Sequence, residues 1–306
     1  MQVYLPVAEL SLNVFLLAGI GLAIGFLSGM FGVGGGFIMT PLLIFLGVPS
    51  AVAVGTGASQ IVAASVSSAV GHWRRGNIDM QMGYFLIGGG FFGAITGVKI
   101  VYILKQMGQL DLFVSLTYVI LLGVIGPLML IESINTLRAA PARPGSSRRA
   151  GQHTWIQRLP LKQRFPHSKL YISAIPPVAI GAFVGWLTAI MGVGGGFVMV
   201  PAMIYLLRMP TRMVIGTSTF QIVCVTAFTT VLQAMQNHSV DVLLSLPLIV
   251  GGVVGAQYGV GFAERLKAEQ LRAGLALLVL AVAVRMAMGL VVRPADLFGI
   301  ETPAVN

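Results

Sequence analysis

The sequence predicts an all-α polytopic membrane protein of two inverted repeats, each with about four full transmembrane helices plus one short broken or re-entrant helix. Three observations carry the prediction. Of the 306 residues, 56% are hydrophobic and only 9% charged, with a mean hydropathy of +0.90; a soluble domain carries about 25% charged residues. The string Gly32-Val33-Gly34-Gly35-Gly36-Phe37-Ile38-Met39-Thr40-Pro41 recurs, nearly unchanged, as Gly192-Val193-Gly194-Gly195-Gly196-Phe197-Val198-Met199-Val200-Pro201. Lysine and arginine, finally, are distributed in a way that an inversion of the second half explains best.

A span needs about 20 mostly apolar residues. In the first half such runs lie at 12–31, 50–71, 80–102 and 111–131, with a short apolar piece at 37–48. The second half offers 170–190, 213–235, 242–263 and 271–292, with a short piece at 197–207. Each short piece follows a glycine cluster, contains a proline and is too brief to cross a bilayer, so each reads as a half-helix or re-entrant segment. Residues 1–137 form the first repeat, 138–169 a basic linker and 170–306 the second repeat. Between the halves, Gly55-Thr56-Gly57-Ala58-Ser59-Gln60 matches Gly216-Thr217-Ser218-Thr219-Phe220-Gln221, Gly93 to Gly97 matches Gly255 to Gly259, and Leu104-Lys105 matches Leu266-Lys267.

With the halves inverted, 15 of the 19 Lys and Arg fall on one side, in 72–79, 132–170, 205–212 and 263–272. Lys99, Lys105, Arg285 and Arg293 fall on the other. Parallel halves reduce the split to 12 against seven. Basic loops mark the cytoplasmic side, so the inverted arrangement is preferred, with the central linker cytoplasmic and the chain multi-pass in the cell inner (plasma) membrane. No basic segment precedes the first apolar run, so that run is a retained span rather than a cleaved leader.

A net charge of +10 suggests nucleic acid at first sight, but eight of the 19 basic residues lie in the linker. Its Pro, Gly, Ser and Arg content fits disorder, or a segment resting on anionic headgroups. The partners expected are therefore the bilayer and a small anion, with no nucleic acid; a homodimer is compatible with so Gly-rich a surface. The single cysteine, Cys224, excludes a disulfide framework or Cys-based metal site. No His/Asp/Glu constellation lies within the spans, so no catalytic residue, metal or cofactor is assigned and an enzyme is disfavoured.

Gly-rich breaks that open helices inside a membrane protein can present unpaired backbone N–H groups and the positive end of the helix dipole to an anion. Matched breaks in two halves point to a transporter's binding site. The candidate substrate ligands are accordingly Gly34, Gly35, Gly36, Gly194, Gly195 and Gly196, joined by Thr56, Ser59, Gln60, Thr217, Ser218 and Gln221. Glycine at the breaks equally permits tight packing of a re-entrant hairpin, and the hydroxyls and amides equally serve interhelical hydrogen bonds. His72, Arg74 and Arg75 are candidates for an anion entrance, or for interface anchoring. Lys99 and Arg285 lie near enough to span ends to snorkel. Gly89, Gly93 and Gly97, like Gly251, Gly255 and Gly259, have the small-xxx-small spacing of close helix contact.

The paired Gly-Val-Gly-Gly-Gly-Phe with Pro41 and Pro201, the Gly-Thr segments at 55 and 216, and the loop His72-Trp73-Arg74-Arg75-Gly76-Asn77-Ile78-Asp79 together resemble the sulfite exporter TauE/SafE family, also called 4-toluene sulfonate uptake permeases. The resemblance spans both halves. It implies a bacterial or archaeal inner-membrane exporter of sulfite or an organosulfonate such as sulfoacetate, working by alternating access. An anion channel, or a permease for another small organic anion, is the alternative.

Overall fold

A computed structural model describes residues 2–31, 34–138, 162–165, 168, 170–237, 239–263 and 268–291. The centre of the expected linker, the Gly32-Val33 opening of the first glycine motif, Lys267 and Arg293 lie outside the described residues. One order of elements occurs twice. The first half runs β1 (Gln2–Leu5), β2 (Leu10–Asn13), α1 (Val14–Phe31), α2 (Gly36–Phe45), α3 (Ser50–Arg74), α4 (Met80–Gln106) and α5 (Leu110–Arg138). The second runs β3 (Lys162–Phe165), β4 (Leu170–Ser173), α6 (Ile175–Met191), α7 (Gly196–Tyr205), α8 (Thr211–Asn237), α9 (Val242–Ala263) and α10 (Ala268–Val291).

Helices make up the body, and the short apolar pieces are ten-residue helices, about 15 Å long at 1.5 Å per residue. Two departures from an all-α chain occur. Leu12 and Asn13, expected to start the first span, belong instead to an antiparallel hairpin that runs from Gln2 opposite Asn13 to Leu5 opposite Leu10. A second hairpin runs from Lys162 opposite Ser173 to Phe165 opposite Leu170. Both strands that enter a helix alternate large apolar and polar or small residues (Leu10-Ser11-Leu12-Asn13, Leu170-Tyr171-Ile172-Ser173), the two-residue period of a half-buried strand. The eight expected spans are nonetheless met by α1, α3, α4, α5, α6, α8, α9 and α10, each of which overlaps one of them. Among the described residues five are long and apolar enough to cross a membrane: Ser50–Arg74, Met80–Gln106, Leu110–Leu128, Met213–Asn237 and Val242–Phe262. Among the described residues, the second hairpin matches the first and includes Lys162–Phe165 of the stretch expected as linker.

Small residues decide which helices pair. Gly21, Gly25 and Gly29 of α1 lie on the backbone of Leu248, Gly252 and Ala256 of α9, while Gly251, Gly255 and Gly259 of α9 lie on Ala18, Leu22 and Phe26. In the matching pair, Gly89 and Gly93 of α4 lie on Val178 and Ala182 of α6, Gly97 lies on Trp186 and Ala189, and Gly181 and Gly185 lie on Leu86 and Gly90. Residue numbers rise together in both pairs, so each pair is parallel and each joins one half to the other. Lipid offers apolar side chains no gain from leaving it, so dispersion between closely approaching backbones is what such glycines provide.

The remaining directions follow from shared contacts. Gly35 sits against Ile24 and Ser28, whereas Leu43 and Val48 cluster with Leu5 and Leu17, so α2 doubles back along α1. Val52 and Ala53 belong to that same cluster, which starts α3 at the end where α1 began. Val54, early in α3, and Val101, late in α4, share one core, so α4 runs antiparallel to α3. The second half repeats this: Val184, Met199, Met203 and Val214 cluster as Ile24, Met39, Leu43 and Ala53 do.

A Cβ at Gly93 would meet the Ala182 carbonyl oxygen and one at Gly255 the Leu22 carbonyl oxygen, both backbone atoms that cannot step aside. Gly93→Ala and Gly255→Ala are each expected to lose about 1–3 kcal/mol of stability. Thermal unfolding of the detergent-solubilised protein measures this, with Gly88→Ala, where a Cβ meets nothing within 4 Å, as the neutral control.

Candidate substrate site at the paired glycine turns

The two glycine clusters make the same turn. Gly34 and Gly35 have φ of 85° and 68°, and Gly194 and Gly195 have 71° and 70°. Left-handed backbone costs an L-residue with a Cβ about 1–2 kcal/mol, so two in succession require glycine. Gly35 is the N-cap of α2 and Gly195 that of α7, and neither helix has a side-chain cap. The first helical bonds are made by the Ile38 and Val198 amides, each donating to its N-cap carbonyl at 3.1 Å. The amides of Gly36, Phe37, Gly196 and Phe197 precede them and face outward from the two helix starts, where the dipole is positive.

These starts meet. A Cβ on Gly34 would contact Ile61 and Ile222, one on Gly194 the same two isoleucines, and one on Gly36 would come within 2.7 Å of the Val193 backbone. The rings of Phe37 and Phe197 stand 5.8 Å apart. Of the other expected ligands, Gln60 and Gln221 are fully buried, and neither amide atom of either has a hydrogen-bond partner. Room for them comes from glycines on the paired helices: Gly252 lies against the Gln60 amide, and a Cβ at Gly90 would stand 3.2 Å from Gln221 Nε2. An unpartnered buried amide costs about 1–3 kcal/mol per group, so both side chains are held here with their hydrogen-bonding capacity unused.

The hydroxyl residues are engaged elsewhere. Thr217 Oγ1 accepts from the Asp79 amide at 3.0 Å, and Thr56 Oγ1 from the Asp241 amide at 3.0 Å. Ser59 and Ser218 donate to carbonyls of their own helices, Thr56 O at 2.7 Å and Ile215 O at 3.1 Å. Two fully buried aspartates, Asp79 and Asp241, each organise the start of a helix. The Asp79 carboxylate accepts from the Met82 amide at 3.1 Å, capping α4, and from the Ser168 amide at 3.1 Å and hydroxyl at 2.5 Å. The Asp241 carboxylate accepts from Leu244 at 3.1 Å, capping α9, and from Val7 at 3.0 Å. Each aspartate therefore ties one half's fourth helix to the other half's third helix and hairpin. Their matched positions ahead of matched helices were the sequence signal available for finding them.

His72, Arg74 and Arg75 end α3 away from the glycine turns, with Trp73 edge-on to Phe220 at 6.4 Å. Lys99 is exposed, and Arg285 lies over the Phe45 ring at 4.6 Å, so neither joins the turns.

Broken helices whose uncapped starts converge inside an apolar helical body define a polytopic membrane transporter. The chain belongs to the sulfite exporter TauE/SafE family, whose model matches residues 17–286. It is 29% identical over 270 residues to a "Probable membrane transporter protein" of Xylella fastidiosa strain 9a5c, covering 87% of this chain and 92% of that one. It is 26% identical over 264 residues to the "Probable membrane transporter protein YunE" of Bacillus subtilis strain 168, covering 84% and 90%. The "Probable membrane transporter protein YjnA" of the same strain is 25% identical over 260 residues, covering 85% and 94%. No solved structure matches.

The contrast between threonine and glutamine is measurable. Thr217→Val strands the buried Asp79 amide and is expected to cost about 1–3 kcal/mol. Gln221→Leu removes an amide that has no partner and is expected to leave stability unchanged or raise it. Paired thermal melts in detergent check both signs.

Proposed function

We propose that this chain exports a small sulfur-containing anion, sulfite or an organosulfonate of the sulfoacetate type, across the cell inner membrane by alternating access of two inverted repeats. The observation that carries the proposal is the meeting of the α2 and α7 starts at Ile61 and Ile222, the residues that directly follow Gln60 and Gln221. Four leading amides and two uncommitted carboxamides offer donors to an oxyanion from both halves. No lysine or arginine is needed, so the anion is held by neutral dipoles and can leave again. A full buried ion pair would release it far more slowly.

Inversion is supported by helix directions. The pair α1–α9 is parallel, α4–α6 is parallel, and α4 runs opposite to α1; together these set α6 opposite to α1. The charge distribution supports the same reading, with the linker cytoplasmic. In such a pair of repeats, rocking one half against the other exposes a central site to each face in turn. The family membership supports sulfite as the first anion to test.

Purified protein in liposomes loaded with sulfite is expected to release it, and Gly35→Leu or Gly195→Leu to abolish release while still inserting and purifying. A Cβ at Gly195 would strike Val184 Cγ1 and would hold φ where side chains resist it. Gln60→Leu and Gln221→Leu each remove a hydrogen bond to a charged guest, worth about 1.5–3 kcal/mol, and are expected to weaken sulfite binding roughly 10- to 150-fold. Wild-type release rates in the Gly195→Leu protein would falsify the site.

A further inference from the structure

Beyond the glycine turns, α3 and α8 carry a second matched pattern. On α3, Ile61, Ser65, Ser68 and His72 are spaced four, three and four residues apart, which places them on one helix face. On α8, Ile222, Thr226, Thr229 and Gln233 have the same spacing at the matching positions. All but His72 are buried or nearly so, with Ser65 2%, Ser68 6% and Thr226 0% exposed. Several helix hydroxyls among the described residues donate to the carbonyl a turn earlier: Thr229 to Val225 at 2.8 Å, Thr230 to Thr226 at 2.8 Å, Thr188 to Val184 at 2.8 Å, Thr117 to Phe113 at 2.7 Å. The hydroxyls of Ser65, Ser68 and Thr226 do not, and have no partner. Burying three such groups unbonded is a cost that a packed core would not keep without a guest for them.

The two polar faces diverge from one point. Because α3 and α8 run antiparallel, Ser65 to His72 lead one way from the glycine turns and Thr226 to Gln233 the other. Ile61 and Ile222, both fully buried, stand between them, each touching the positions where Gly34 and Gly194 would carry a Cβ. Thr226 Oγ1 lies 3.3 Å from that position on Gly194. Each face ends near basic residues. The α3 face ends at His72, Arg74 and Arg75. The α8 face ends at a network in which Gln233 donates to Ala189 O at 2.9 Å and accepts from Asn237. Ser239 adjoins this network, and Lys105 donates to Asn237 O at 2.7 Å. Ser239, Lys105 and Glu9 line a cavity of about 290 Å³ there.

We propose that these faces are the two half-paths of the transported anion, lined by the Ser65, Ser68 and Thr226 hydroxyls, and that Ile61 and Ile222 form the apolar constriction separating them. This rests on the transport reading above and names the route and barrier for the same site. An apolar collar excludes water and imposes a desolvation barrier on any ion, so a leak is blocked until the glycine-turn donors take over the anion's hydration. The unbonded hydroxyls supply single donors on either side, enough to pass an oxyanion along and too few to trap it.

The test uses cysteine accessibility in the full chain. Cys224 is the one cysteine, so Cys224→Ala gives a thiol-free background into which Ser65→Cys and Thr226→Cys are introduced singly. A membrane-impermeant methanethiosulfonate is applied to spheroplasts and to inverted membrane vesicles. Ser65→Cys is expected to react only from the face bearing His72, and Thr226→Cys only from the face bearing Ser239. Adding Ile61→Ala with Ile222→Ala is expected to raise labelling of each cysteine from its far face at least tenfold. The milder Ile61→Val with Ile222→Val gives a smaller rise in the same direction should the alanine pair fail to fold. Labelling of both cysteines from one face, labelling of neither, or an isoleucine pair whose truncation leaves far-face labelling unchanged overturns the route. Opposite-sided labelling in a protein that releases no sulfite from liposomes leaves the route standing and overturns the substrate instead.

Discussion

Two helix starts buried without caps are the constraint on which this structure depends. An unpaired backbone N–H away from water costs several kcal/mol in hydrocarbon, and here the two helix starts that carry such groups meet at Ile61 and Ile222. The surrounding features hold that arrangement open. Consecutive left-handed glycines let the chain turn sharply enough to begin α2 and α7 at the same place. Glycine faces on α1, α4, α6 and α9 draw the two halves close enough for the starts to touch. Under the proposed transport function, the cost of the exposed donors would become binding energy once an anion arrives.

The second structural layer is the crossed aspartate latch. Asp79 caps α4 and is held by Thr217 and Ser168 from the other half; Asp241 caps α9 and is held by Thr56 and Val7. Every polar atom that these groups bury is spent on another protein atom, which makes them rigid. Gln60, Gln221, Ser65, Ser68 and Thr226 are the opposite case, buried and uncommitted. The division between satisfied and unsatisfied polar groups separates framework from site more sharply than residue type does, since threonine and serine occur in both.

That division explains what was legible in the chain. The glycine clusters announced both the duplication and the half-helices, because only glycine tolerates the turn and only irregular backbone explains its repetition in an apolar chain. Gln60 and Gln221 were legible as matched amides in matched spans. Thr56, Thr217, Ser59 and Ser218 looked equivalent to them by composition. The threonine hydroxyls, however, are taken by backbone amides of the other repeat, and the serine hydroxyls turn back to carbonyls of their own helices. In the hairpins at Gln2–Asn13 and Lys162–Ser173, the second strands ran into the apolar runs from 12 and 170, because four-residue strands leave too short a period to stand out beside long apolar runs.

The sequence by itself determined that the chain is a duplicated helical membrane protein with two glycine-broken helices, since hydropathy, composition and repetition are local properties. Only the tertiary structure decided that the two breaks meet, that α1 pairs with α9 and α4 with α6, and that the glutamines stand unbonded while the threonines do not. Those are facts about which residues from opposite halves come within about 3 Å of one another. Helix directions and close backbone contact set them, and no single stretch of chain encodes either.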